Sequence, residues 1–151
     1  MTTQLTEHEQ RLWHAWKIAA DTVRQRVAEE IKAGAGLSDQ DFSIVTRLVE
    51  LGDGALRQNE LSAALQWDRT RLSHQLTRME HRGLVTRGAV DGGVLVRITD
   101  EGARLVRVAR PIHADAVRKY LLHRTEGIDQ TALVRVLEQL ASQGPPPTGS
   151  R

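Results

Sequence analysis

The chain contains no cysteine, which removes a thiol sensor, a zinc-thiolate site, a cysteine nucleophile and any disulfide staple at once and suits a reducing cytoplasm. Aromatic residues are scarce: three Trp, one Tyr and one Phe among 151 residues. None stands in a strand pattern suited to stacking bases, so single-stranded nucleic acid and RNA are poor partners. No run of about 18 apolar residues occurs, and the opening "MTTQLTEHEQRLWHAW" has neither a basic n-region nor an apolar h-region. A soluble, cytoplasmic protein without a membrane partner is expected. Also missing are a grouped nucleophile, base and orienter, a phosphate-binding glycine loop and a paired-carboxylate cleft, so the chain reads as a non-enzyme with no cofactor. The six histidines, His8, His14, His74, His81, His113 and His123, show no ligand spacing, and no metal site is expected.

What the chain does have is a local excess of positive charge. The overall balance is 21 basic against 19 acidic residues, a net charge of +2. From Arg69 to Arg97, six arginines (69, 71, 78, 82, 87 and 97) face only Glu80 and Asp91, which puts +4 on that stretch and leaves −2 for the rest. A basic patch on a nearly neutral chain is the footprint of a nucleic-acid surface.

The length suits one domain, 1–151, with a buried core. Apolar residues at Leu12, Trp16, Ala19, Ala20, Val23, Val27 and Ile31 describe one face of a long helix over about 5–33, stopped by Gly34 and Gly36. Ser38, with Asp39 and Asp41 behind it, reads as the N-cap of a second helix that "GDG" ends. A short helix follows at "NELSAAL", then a fourth that Asp68 caps, over 69–82, ended by Gly83. "LVTRGAV" and "VLVRIT", separated by "DGG", alternate as a two-stranded hairpin over 84–99. Thr99 caps a further helix that Pro111 is expected to kink or divide, and a last helix lies near Glu126 to Ala141. "GPPPTGSR" (143–151 with Gln143) reads as a disordered tail. The fold class is therefore mainly α with a small β-hairpin.

Around the fourth helix, Leu72, Leu76 and Met79 form one narrow stripe, with Thr70, His74, Thr77 and His81 opposite and Ser73, Arg71 and Arg78 at the flanks. Leu61 and Leu65 of the preceding helix can pack the stripe, small Ser62 and Ala64 allow a close approach, and Trp67 fills the corner. This is a helix-turn-helix, whose second helix presents polar and N-terminal residues to the major groove. The candidate DNA contacts are Arg69, Thr70, Arg71, Ser73, His74, Thr77 and Arg78, because arginine forks match guanine edges and phosphates and the shorter groups reach base edges. Alone, such a helix is equally a solvated amphipathic one. The hairpin that follows, with Arg87 and Arg97 beside a Gly-rich tip, makes the pair a winged helix.

"NELSAALQWDRTRLSHQLTRMEHRGLVTR" and "VLVRITDEG" resemble the helix-turn-helix, the wing and the start of the next helix in the MarR family of bacterial transcriptional regulators, and the resemblance extends over about residues 5–142. It implies a homodimer held by the terminal helices (5–33 and 111–142), with the lobes (38–99) binding a pseudo-palindromic duplex. It also implies a ligand-responsive repressor on the bacterial nucleoid. The other class to weigh is a winged helix that serves only as a protein-interaction module, a class that usually lacks the arginine-rich face. Two positions depart from the family pattern. Gly93 stands where the wing tip commonly has an arginine, in a turn one residue short, which makes Arg87 and Arg97 the expected wing contacts. Gln66 stands where glycine is usual in the helix-turn-helix turn. Trp13 and Trp16 either pack the dimer interface or, with Phe42 and Arg47, line the cleft where many members bind small aromatic acids, Arg47 meeting a carboxylate. Ser43 and Glu50 occupy the positions that carry an Asp and an Arg in the urate-responsive branch, which disfavours urate.

Overall fold

A computed structural model describes residues 4–142; the Pro/Gly tail read at 143–151 lies outside the described residues. The first helix, α1 (Glu7–Ala35), starts at a capping box: the Thr6 hydroxyl accepts from the Glu9 amide, and the Glu9 carboxylate accepts from the Thr6 amide at 2.7 Å. It ends at Gly36, whose left-handed backbone (φ 69°) only glycine adopts without strain. Gly34, expected to stop α1, remains inside it. A Cβ there would come within 2.4 Å of Ile112 Cδ1, so the missing side chain is room for a neighbouring helix rather than a terminus.

Ser38 caps α2 (Asp39–Gly52) through a second capping box with Asp41. The chain then makes a short strand, β1 (Ala55–Arg57), before α3 (Gln58–Leu65) and α4 (Arg69–His81). The hairpin is β2 (Val85–Val90) and β3 (Gly93–Ile98), in register from Val85 opposite Ile98 to Val90 opposite Gly93. β1 pairs antiparallel with β3, Leu56 opposite Val96, so the sheet has three strands in the order β1-β3-β2 and not two. At three residues, β1 is too short for its alternation to register in sequence.

Thr99 caps α5 (Asp100–Val117), as its hydroxyl accepts from the Gly102 amide. Gly102 sits where a Cβ would fall 2.3 Å from the Leu84 carbonyl oxygen, so only glycine lets α5 start against the wing's base. Pro111 neither divides nor ends α5. Arg107, one turn earlier, and Pro111 are both exposed, so the carbonyl deprived of its partner faces water. After Val117 the helix widens into a π-turn (Arg118–Leu122), which brings Lys119 and Tyr120 together onto Glu30 of α1 at 2.9 and 2.7 Å. A 3-10 turn (His123–Thr125) and the loop capped by Asp129 lead to α6 (Gln130–Ser142), which begins later than the sequence suggests.

The core is centred on the lobe: Ile44, Val45 and Leu48 of α2, Leu61 of α3, Leu72, Leu76 and Met79 of α4, and Val96 of β3 are all fully buried, and Ile31 of α1 and Val106 and Ala109 of α5 complete it. Burial of each large side chain contributes about 1.5–3 kcal/mol. The terminal helices differ. From Glu7 to Ala19 every residue of α1 is exposed, Leu12 at 65% and Ile18 at 67%, and α6 has no buried residue. Among the described residues no helix is long and apolar enough to cross a membrane.

Candidate nucleic-acid interface

Three elements fix the orientation of α4. Beneath it, the stripe Leu72, Leu76 and Met79 is sunk into the lobe together with the polar Gln75. At its start, Asp68 caps the helix by accepting from the Arg71 amide at 2.8 Å. The turn before it is held by Ser62, whose hydroxyl donates to the Trp67 carbonyl at 2.5 Å and whose own carbonyl accepts from the Trp67 amide at 3.1 Å. Gln66 takes the left-handed conformation there (φ 55°), the strained role that glycine fills more easily.

With the stripe down, Arg69, Thr70, Arg71, His74, Thr77 and Arg78 are all exposed on the opposite side, and Ser73 is half-buried. Arg69 and His74 make no side-chain hydrogen bond or ion pair among the described residues, and Arg71 makes only a stacking contact: its guanidinium carbon lies 4.0 Å from the centroid of the Trp67 ring. Arg97, on β3 opposite Thr86, is likewise exposed and unpaired among the described residues.

Arg87, expected as a wing contact, differs from Arg97 in having partners within the chain. Its guanidinium donates to Glu80 at 2.5 Å, to the Thr77 hydroxyl at 2.9 Å and to the Ser73 hydroxyl at 3.4 Å, and only 22% of the side chain is exposed. The geometry makes it a brace between wing and recognition helix, because its charge is already answered by a carboxylate and its donors by two hydroxyls. Across the tip, Arg57 donates to the Asp91 carbonyl, so the turn is tied back to β1.

Arg82, counted in sequence only as part of the basic patch, also has partners within the chain, although its side chain remains partly exposed. It bonds Asp41 at 2.5 Å and the Gly36 carbonyl at 2.9 Å. Asp41 is fully buried and also accepts from Gln75 at 2.7 Å, while Arg78 donates to the far side of the Gln75 amide. Burial opposes ionisation of Asp41, but the Arg82 guanidinium and the Ser38 amide outweigh it and hold the carboxyl below its ordinary value. This network joins the ends of α1, α2 and α4. Sequence reading missed it because its members are 34 and 41 residues apart; the only signals were an acid at the third position of a capping box and a glutamine on an apolar stripe.

A cavity of about 630 Å³ lies between α1, α2, α5 and the helix-turn-helix turn. Phe42 and Arg47 line it, with Ser43, Glu50, Trp67 and His113. The Phe42 and His113 rings are 5.2 Å apart. Arg47 and Arg110 share the Glu50 carboxylate at 3.6 and 3.8 Å, two guanidinium groups to one carboxylate. Trp13 and Trp16 do not join this lining. The α1 residues that do are Val23, Arg24, Val27 and Ile31; Trp16 lies seven residues before Val23, about 10 Å away along a helix axis. Trp13 and Trp16 are 52% and 43% exposed. No cluster of His, Asp or Glu able to hold a metal occurs among the described residues.

No family model and no curated protein matches the chain. Solved structures do. Sco3205, a MarR family transcriptional regulator from Streptomyces coelicolor solved in complex with DNA, superposes with a TM-score of 0.86 at 28% identity, covering 99% of this chain and 97% of that one. AbsC, a MarR family transcriptional regulator from the same organism, gives 0.83 at 28% identity, with 93% and 96% covered. CouR from Rhodococcus jostii RHA1, bound to p-coumaroyl-CoA, shares the fold at 0.70 and 23% identity, with 92% and 95% covered.

Proposed function

We propose that this chain, a member of the MarR family of transcriptional regulators, is a ligand-responsive, sequence-specific regulator of double-stranded DNA, acting as a homodimeric repressor on a pseudo-palindromic operator in the bacterial cytoplasm. The observation that carries the reading is the division of α4. Its apolar stripe is fully buried, whereas Arg69, Arg71 and His74 point outward with no hydrogen bond or ion pair from their side chains among the described residues. A folded lobe that leaves such donors unanswered has them available for base edges and phosphates. The structural neighbours are regulators rather than enzymes, and we read this chain as non-enzymatic.

Dimerisation is inferred from Leu12, Trp16 and Ile18 of α1 and Val134, Val136 and Leu140 of α6, all exposed apolar residues on helices that the lobe does not cover. Val23, Val27 and Ile31, grouped with that face in sequence, turn instead toward the cavity and core. The cavity supports an effector with an apolar or aromatic body and an acid group, the body against Phe42 and the acid at Arg47 and Arg110.

Gel-shift titration on the duplex upstream of the coding sequence, at two salt concentrations, tests the reading. Inverted repeats with half-site centres about 34–36 Å apart are expected to be preferred. Substituting Arg71 or His74 by Ala should change the base preferred at one position per half-site, at about 1–3 kcal/mol per lost contact. Binding that is absent, or indifferent to sequence, would leave a protein-interaction module as the better reading.

A further inference from the structure

Two of the cavities beside the helix-turn-helix have one lining residue in common. The larger is the effector cavity described above. The smaller, about 470 Å³, lies between the start of α2 and the outer side of α4, where Gln40, Arg71, Arg78 and Arg82 line it. Trp67 is the one described residue that lines both. Its main chain is fastened in two directions to Ser62, and the preceding Gln66 is in a left-handed turn, so the backbone has little freedom to shift. A disturbance at the indole is expressed by the ring itself. Arg71 stacks on that ring at 4.0 Å, and its guanidinium makes no hydrogen bond or ion pair among the described residues, so the ring is the one partner they offer it.

We propose that Trp67 is a positioning residue that carries occupancy of the effector cavity directly to Arg71, in the first turn of the recognition helix. This rests on the DNA-binding reading above and specifies its regulation. Attraction between a guanidinium and an aromatic ring depends on the cation lying over the ring face within about 6 Å of its centre. A ligand pressed against the indole from the cavity side tilts that face and releases Arg71 from the place where it meets a base. By linkage, DNA that fixes Arg71 must oppose the same tilt, so duplex and ligand antagonise each other by one common factor.

The test uses the full-length protein and a duplex that the wild type selects from a randomised library. A double-mutant cycle of Trp67→Leu and Arg71→Ala should show the two effects on Kd to be coupled by roughly two- to fivefold, and Trp67→Leu should relax preference at the same half-site position as Arg71→Ala. A side chain that merely supports the fold would weaken all sequences alike. A second measurement needs no change at Trp67: in Trp13→Phe/Trp16→Phe protein it is the sole tryptophan, and its emission should shift when the selected duplex binds and stay still when Arg71→Ala is added. Additive effects together with emission silent to a duplex that binds normally would overturn the proposal and leave the DNA-binding reading intact. A wild-type protein that selects no duplex at all overturns both.

Discussion

The lobe and the terminal helices treat their apolar residues in opposite ways. Between Leu37 and Val96 the large core side chains of the lobe are buried by their own chain, while the first half of α1 and the outer side of α6 leave Leu12, Trp13, Trp16, Ile18, Val136 and Leu140 exposed. Both regions are amphipathic helices in sequence. What separates them is whether a second element of the same chain covers the apolar face: α4 has α2, α3 and the sheet over its stripe, whereas no described residue buries α1 before Ala20. The lobe's core is closed with the help of Ile31 of α1 and Val106 and Ala109 of α5, whereas the arms hold apolar surface that no described residue covers.

The comparison is broken most forcefully inside the lobe. Leu76→Ala should cost about 2–5 kcal/mol, read as a lowered denaturation midpoint that does not depend on protein concentration. Removal of Arg82 should have the next largest effect, about 1–3 kcal/mol, because Asp41 would remain buried with one partner fewer. Arg82 is partly exposed, which keeps the figure below that of a fully buried pair. Asp41 also sets a pH dependence. Its carboxyl ionises more readily folded than unfolded, so its contribution is whole above about the ordinary value of 3.8 and is lost as pH falls through the lower folded value. Urea midpoints at neutral pH and near pH 3 should show this loss in the wild type, and Asp41→Asn should abolish that component.

Substitutions in the arms sharpen the contrast from the other side. Trp16→Asp or Leu12→Asp should remove any dependence of the melting temperature on protein concentration and reduce the scattering mass to the 16.8 kDa of one chain. The lobe's own unfolding should move by no more than about 0.5 kcal/mol. A mass already that of one chain in the wild type would remove the basis for a two-site operator. The smallest effect separates two arginines of the wing. Arg97→Ala should flatten the dependence of log K on log salt by about one unit, whereas Arg87→Ala should leave that slope unchanged and loosen the wing instead, because Glu80 already answers its charge. Titrations at several salt concentrations distinguish them.

Local signals in the sequence survive folding well. Thr99, Ser38 and Asp68 each cap the helix that follows them, and the stripe of Leu72, Leu76 and Met79 is buried as its spacing implies. Signals that need a second element were not legible. Gly34 looks like a stop until Ile112 is seen against it, and Pro111 looks like a break until its solvent-facing side is known. Arg82 and Arg87 cannot be told from Arg69 and Arg97 by residue type, since the carboxylates that claim them come from α2 and from the far end of α4. Trp13 and Trp16 suit either interface packing or the cavity in sequence; the tryptophan that lines the cavity is Trp67, which sequence pattern places only as a corner filler.

Two arginine contacts that hold the hairpin have a mechanical consequence. Arg87 fastens the ribbon at its middle to the recognition helix, and Arg57 fastens its tip to β1. A ribbon held at two points has no swing of its own. Any approach of the wing to a duplex must therefore carry α4 with it, and a groove that suits one but not the other cannot be met by adjusting the hairpin alone. On the DNA-binding reading proposed above, selectivity for the spacing between the two grooves would follow from that fixed dimension, in the way a gauge accepts one width and no other.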